Sequence, residues 1–257
     1  MSRTVVVVPT YNERESLPGL VERVRGCVPD ADVLVVDDAS PDGTGAVADA
    51  LAAGDERVSV LHRAGKEGLG AAYLDAFARV LDAGYDVVVQ MDADGSHRPE
   101  HLPAMLARLA GPGHPGADVV IGSRWVPGGG VENWPWARRW LSRTGSAYAR
   151  GILRLPTRDA TAGYRVFTAD ALRAIRLGDV HTKGYGFQVD MLWHAHRAGL
   201  DIVEEPIVFV EREHGSSKMS LGIVVEAMWR VTVWGIGALF APQTFSARGR
   251  PRSAVRR

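Results

Sequence analysis

Two carboxylates one residue apart, Asp92 and Asp94, follow the apolar run Val87-Val88-Val89 and precede Gly95-Ser96-His97. A short apolar run bounded by polar residues reads as a buried strand, so the pair stands at a strand tip, facing a ligand. In extended backbone successive side chains point to opposite faces. One site can therefore use both acids only if it wraps the strand end or the chain turns after Ala93, and Gly95 permits that turn. Hard oxygen donors suit magnesium or manganese, ions that keep waters and take further ligands from a substrate's phosphates. The chemistry implied is metal-bridged binding of a diphosphate. An isolated Asp-x-Asp can equally be a polar turn leading into a helix, here one starting near Pro99, so the neighbouring segments must decide.

Those neighbours read as alternating strands and helices, each strand ending in polar residues. Residues 4–8 are continuously apolar, as in a parallel strand covered on both faces, and lead into Pro9-Thr10-Tyr11-Asn12-Glu13. Neither the GxGxxG of dinucleotide folds nor the GxxxxGK[ST] of phosphate-binding loops follows a strand. Instead Tyr11 offers a ring to stack on a base, and Glu13 an acceptor for a ribose hydroxyl or base edge. The alternative is a helix start in which Asn12 caps and Glu13 favours the dipole. A second strand, 33–36, ends in Asp37-Asp38, and Ser40-Pro41-Asp42-Gly43 turns into a helix over 44–53. A third strand, 58–61, leads through Arg63 and the glycine-rich GKEGLG to a helix over 71–81, and a fifth, 117–121, ends in Gly122-Ser123-Arg124. Ligands of open α/β sheets bind beyond the carboxyl ends of the strands, so these polar tips belong to one edge.

Composition bounds the remaining possibilities. At 257 residues the chain can bury a full core as one large α/β domain, or as one domain with a small appendage. Its formal charge is zero, which gives no global field for nucleic acid, although the last ten residues hold five arginines and no acid. The single Cys27 precludes an internal disulfide or a cysteine-zinc cluster, and beside Val24 and Val28 it reads as a small core residue. A strand begins almost at once, with no charged-then-apolar leader, so the catalytic part is expected on the cytoplasmic side.

Taken together, VVVVPTYNE, VVDDASPDGTG, GKEGLGAAY, MDADGSH and IGSRW, with the later DATAGYR, KGYGFQ and EREHGSSK, resemble the inverting nucleotide-sugar glycosyltransferases of GT-A fold, specifically the dolichol- or polyprenol-phosphate mannose synthases. The resemblance covers residues 4 to about 225. It implies an α/β fold with a Rossmann-like mixed sheet flanked by helices. It also implies a divalent metal, GDP-mannose as donor and a polyprenyl phosphate lipid as acceptor. Pro9, Tyr11, Glu13, Val36 and Asp38 would hold the nucleoside, and Asp92, Ala93 and Asp94 would meet metal and diphosphate. Where some relatives place Gln two residues after the second acid this chain has Ser96, whose hydroxyl can ligate the metal or hold a metal-bound water. Arg124, Arg212 and Lys218 are assigned to donor and acceptor phosphates, and Arg138 or Arg139 to the lipid phosphate. Gln188 and Asp190 lie where related sugar transferases with alcohol acceptors keep a base. Transfer of glucose from a uridine donor, or a noncatalytic nucleotide-sugar-binding membrane subunit, are the competing readings.

After Pro127-Gly128-Gly129-Gly130 the segment 131–155 mixes three tryptophans with five arginines, which suits a helix at a lipid headgroup surface. Packing of Trp134, Trp136 and Trp140 into the core with snorkelling arginines is the alternative. Thr168 or Asp170 caps a helix to Ile175, and a helix from Phe187 has Met191, Leu192 and Ala195 on its apolar face. His194 and His196, two apart, point in different directions and read as ordinary helix surface. A strand pair, 202–203 and 207–210, closes the catalytic region, predicted as 1–220. Residues 221–241 have spanning length at about 1.5 Å per residue across about 30 Å. Within that window Glu226 and Arg230, four apart, would each cost about 3 kcal/mol in a bilayer centre. An amphipathic helix with Ile223, Val224, Trp234 and Leu239 on one side, reinforced by the basic tail 242–257, is therefore expected to lie on the membrane as a peripheral element, with a membrane partner protein also possible.

Overall fold

The computed structural model describes residues 2–109, 116–180, 182, 186–211 and 228–236. Valine-rich runs form the central strands. β1 (Thr4–Thr10) pairs in parallel with β2 (Asp32–Asp37) on one side and with β4 (Val87–Gln90) on the other, while β3 (Val58–His62) extends the sheet beyond β2. β5 (Val119–Ser123) is not the neighbour of β4. Between them lies β7 (Arg165–Thr168), antiparallel to both, and β8 (Ile202–Pro206) pairs in parallel with the far side of β5. The order β3-β2-β1-β4-β7-β5-β8 places β1 and β4, neighbours separated by two strands in sequence, at the point where the winding reverses. A second, two-stranded sheet joins β6 (Gly130–Glu132) to β9 (Val208–Val210).

Strand alternation explains how one sheet fills two layers. Val5, Val7, Leu34, Val36 and Val88 face α3 (Leu69–Asp82), α5 (Trp136–Leu153), α6 (Ala169–Ile175) and α7 (Phe187–Arg197). Val6, Val8, Val33, Val35, Val87 and Val89 face α1 (Leu17–Cys27) and the single-turn-plus α4 (Leu102–Ala107), with α2 (Thr44–Gly54) alongside. Thr168 is the residue that caps α6, its hydroxyl accepting from Ala171 N at 3.1 Å. Two expectations change. Cys27 is only half-buried at the end of α1, and α7 is buried on nearly every side, Gln188, Asp190 and Trp193 included, because α6, α3 and residues 228–236 cover it.

The glycine-rich GKEGLG has a packing role. Gly68 takes φ 104°, and a Cβ on Gly70 would stand 2.6 Å from the Thr182 carbonyl and 3.0 Å from the Phe187 ring. Only glycine lets α3 approach this closely. We therefore expect Gly70→Ala to lower stability by about 1–3 kcal/mol, the usual cost of overpacking, read as a fall in the midpoint of urea unfolding. An unchanged midpoint would mean that the helix pair has room to spare.

At α5 and its entry the three tryptophans divide. Trp134, just before the helix, is buried, whereas Trp136 and Trp140 are 81% and 63% exposed. Residues 228–236 are helical and pack on the same region: Val231 is buried, Trp234 stacks on Trp193 at 5.6 Å, and Thr232 Oγ1 lies 2.6 Å from the Tyr148 hydroxyl. Their outer side exposes Trp229, Val233 and Ile236. No helix among the described residues is long and apolar enough to cross a membrane. The rest of the 221–241 window and the tail 242–257 lie outside the described residues, as do Arg212 and Lys218.

Candidate active site

The carboxyl ends of β1, β2 and β4 form one edge, and the antiparallel β7 brings residues 159–164 to the same edge from its amino end. Beyond β4 the chain turns as the spacing of Asp92 and Asp94 requires: Gly95 adopts φ 75°, and Ser96 donates to Asp94 Oδ1 through both its amide, at 3.1 Å, and its hydroxyl, at 2.5 Å. Ser96 is buried and thus orients Asp94. Asp92 is set from two sides. The Tyr73 hydroxyl donates to its Oδ1 at 3.2 Å, and its backbone N–H donates to Nδ1 of His97 at 3.0 Å. Burial, and then the charge of Asp92, push the Tyr73 phenol well up, so it remains a neutral donor. Burial pushes the His97 imidazole down, and because Nδ1 accepts, the ring proton sits on Nε2. His97 stacks on Tyr164 at 4.9 Å and meets Phe209 edge-on at 5.4 Å, which locks the turn against β7 and β9.

At the ends of β1 and β2 lies a second group. Asp37 is consumed internally, accepting from the hydroxyls of Thr10 at 3.2 Å and Ser40 at 2.6 Å. Asp38 is held by Arg63 Nη1 at 2.5 Å, and the same guanidinium bonds Asp75 at 2.7 Å and Glu67 at 3.3 Å. Burial raises the Asp38 carboxyl, and Arg63 opposes that shift. The Lys66 ammonium sits 3.7 Å over the Tyr11 ring. Glu13 is positioned by its amide donating to Thr44 Oγ1 at 2.9 Å and by the Ser16 hydroxyl donating to its carboxylate at 2.9 Å. Helix α1 begins only at Leu17, and Asn12 takes φ 61°, so Asn12 is no helix cap. Pro9 and Val36 are buried neighbours in the β1–β2 register.

On the other side of the site, Arg124 makes a two-pronged pair with the fully buried Asp159, Nε to Oδ2 at 2.7 Å and Nη2 to Oδ1 at 2.7 Å, and reaches Thr161 Oγ1 at 3.0 Å. Arg138 stacks on Trp134 with its guanidinium carbon 4.1 Å from the ring centroid and is paired with Glu211. Arg139 is exposed and donates to the Val131 carbonyl at 3.4 Å. Asp190 is buried and accepts from the Thr182 hydroxyl at 2.7 Å, with His194 Nε2 at 3.4 Å. Sequence reasoning did not single out Tyr73, His97, Lys66 or Asp159. Only His97, at a fixed offset of five from Asp92, left a local signal.

Among the described residues no three of His, Cys, Asp and Glu gather as a metal cage. Two carboxylates from one turn are an incomplete donor set, and that set fits a hard divalent ion that completes its shell with phosphate oxygens and water.

Comparison with known proteins agrees with this geometry. The model of glycosyl transferase family 2 matches residues 5–176. Undecaprenyl-phosphate mannosyltransferase of Micrococcus luteus is 57% identical over 236 residues, 92% of this chain and 95% of that protein. Polyprenol monophosphomannose synthase of Mycolicibacterium smegmatis is 54% identical over 235 residues, 91% and 87% of the two chains. Among solved structures, glucosyl-3-phosphoglycerate synthase of Mycobacterium tuberculosis superposes with a TM-score of 0.61 at 18% identity, over 94% of this chain and 81% of that one. A mannosyltransferase of Pyrobaculum calidifontis, solved with GDP-mannose and Mn2+, gives 0.58 at 20% identity over 93% and 65%. At those identities the structural likeness speaks for the fold alone. The chain belongs to glycosyl transferase family 2, as a glycosyltransferase of the polyprenol-phosphate mannose synthase group.

Proposed function

We propose that this enzyme transfers mannose from GDP-mannose to a polyprenyl phosphate with inversion at the anomeric carbon, giving polyprenyl phosphomannose and GDP. The observation that carries this reading is the layout of the sheet edge. The Tyr11–Glu13–Asp38 group lies at the ends of β1 and β2, the Asp92–Asp94 turn beyond β4, and the arginine and tryptophan group past β5. The two close relatives named for polyprenyl-phosphate mannosyl transfer support the same sugar and carrier. A divalent metal, Mg or Mn, held by Asp92 and Asp94 with Ser96 behind Asp94, would offset charge on the departing diphosphate.

The chain's own residues do the rest. Tyr11 offers its ring, with Lys66 above it, to the base, Asp38 accepts from the base edge, and Glu13 accepts from the ribose. Arg138 receives the acceptor phosphate, with Arg124, Arg139, Arg212 and Lys218 as the further cations of the assignment. A phosphate monoester has its second pKa near 6, so it arrives largely as a dianion and no side chain need remove a proton before attack. That matches the placement of Asp190, which is buried and engaged by Thr182. The catalytic work is positional and electrostatic.

The exposed Trp136, Trp140, Trp229, Val233 and Ile236 supply a surface for the headgroup region, as expected of a peripheral enzyme on the cytoplasmic face of the membrane. Donor choice is testable at Arg63. With Arg63→Leu the buried Asp38 loses its cation and hydrogen-bond donor, so the KM for GDP-mannose should rise about tenfold with the acceptor KM unmoved. Competition by UDP-glucose as strong as by GDP-mannose would instead favour the uridine-donor reading.

A further inference from the structure

Among the described residues, three buried nitrogens around the acceptor-side arginines have no hydrogen-bond partner: the indole Nε1 of Trp125, the indole Nε1 of Trp134 and Nε of Arg138. All three are donors only. Their surroundings are cationic, for the guanidinium carbon of Arg124 lies 5.5 and 5.4 Å from the centroids of Trp125 and Trp134, and those of Arg143 and Arg138 lie 5.3 Å from Trp125 and 4.1 Å from Trp134. Stacking of a guanidinium uses the face of an indole, whereas its N–H lies in the ring plane at the edge, so these contacts leave the donors unpaired. Buried donors in native proteins are almost always paired, and an unpaired set beside cations marks a place for an anion.

One internal anion is already in contact. Both carboxylate oxygens of Glu211 bond Nη1 of Arg138. The Glu211 amide is fixed by Glu132 O at 3.2 Å, so the backbone is tied while the side chain can turn away. While Glu211 holds Arg138 over the Trp134 ring, the donors are sealed from solvent. A ligand phosphate that binds Arg138 must compete with that carboxylate for it. Such an exchange keeps Arg138 neutralised throughout, so in neither state is a cation buried alone.

We propose that the phosphate of the polyprenyl acceptor takes the place of the Glu211 carboxylate on Arg138 and is bound there also by Nε of Arg138 and the indole N–H of Trp134. Glu211 is the stand-in anion of the acceptor-free enzyme. The assignment rests on the acceptor reading given under Proposed function and deepens it: it favours Arg138 over Arg139 and adds an indole donor and an exchangeable carboxylate.

The test uses the full chain and a short isoprenyl monophosphate soluble without detergent, with binding measured by calorimetry and turnover with GDP-mannose. Trp134→Phe keeps the stacked ring and removes the N–H. It should raise the acceptor Kd and KM about tenfold, the loss of one hydrogen bond to a charged group, with the donor KM unmoved and the melting temperature no lower. Glu211→Gln removes the competing charge and should lower the acceptor Kd by a similar factor. The matching isoprenol, which lacks phosphate, should bind wild type and both variants alike. An unchanged monophosphate Kd in Trp134→Phe, a weaker Kd in Glu211→Gln, or an equal shift for the isoprenol would each overturn the assignment and leave the transfer reaction standing. If wild type binds the monophosphate but transfers no mannose to it, the reaction reading falls and the Kd values alone decide this one. A wild type that binds no monophosphate overturns both.

Discussion

Asp94→Asn is expected to lower mannosyl transfer by about 10^3-fold, because a bound divalent ion supplies several kcal/mol of transition-state charge stabilisation and each 1.36 kcal/mol is a factor of ten. Folding should be little affected, since the amide and hydroxyl of Ser96 donate to this carboxylate from within the same turn, and an amide oxygen can still accept from them. Chelation of divalent metal in wild type should reproduce the loss. Titration of Mn2+ followed by its paramagnetic resonance should show weakened binding in Asp94→Asn, which separates loss of metal from loss of some other contact. Full activity in chelator would remove Asp92 and Asp94 from the metal assignment.

Asp159→Ala is expected to have the largest effect on stability. The pair of Arg124 with Asp159 is buried at 8% and 0% side-chain exposure, and Asp159 also accepts from the Arg124 amide at 3.0 Å. Removing the carboxylate leaves a guanidinium without its counter-charge in the interior, which costs about 3–5 kcal/mol. In a chain of this size that corresponds to a fall of about 10 °C in melting temperature. The double substitution Asp159→Ala with Arg124→Met should recover much of the loss, since it removes both charges together. The same experiment decides how Arg124 serves the site. A loss below about 1 kcal/mol in the single variant would mean that the guanidinium is not bound up in structure and is free to meet a phosphate.

The parallel core of the fold was legible because valine runs such as Val5–Val8 and Val33–Val36, each ending in acids or Pro-Thr-Tyr-Asn-Glu, have no other comfortable home than strands covered on both faces. The turn holding Asp92 and Asp94 was legible for the same reason, with Gly95 marking where the backbone changes sign of φ. β7 was harder to place. It opens with Arg165, fully buried and donating to the carbonyls of Ala160 at 3.1 Å and Ala162 at 2.9 Å, and nothing local in an arginine announces a sheet centre. Its position between β4 and β5 keeps their ends from being adjacent on the edge they share. Long-range pairs were equally hidden. Arg63 meets Asp38 across 25 residues and Arg124 meets Asp159 across 35, distances over which single-residue chemistry carries no address. The tryptophans of 131–155 could be read as core or as surface, and they are both: Trp134 turns in under Arg138, while Trp136 and Trp140, four apart on α5, face outward together.

The most direct test of the central claim is product formation from radiolabelled GDP-mannose and polyprenyl phosphate by the purified full chain with Mg2+ or Mn2+. The account predicts a lipid-soluble product that releases mannose in mild acid, formed in proportion to GDP and absent when UDP-glucose replaces the donor. Label that stays water-soluble, or equal transfer from UDP-glucose, would contradict it.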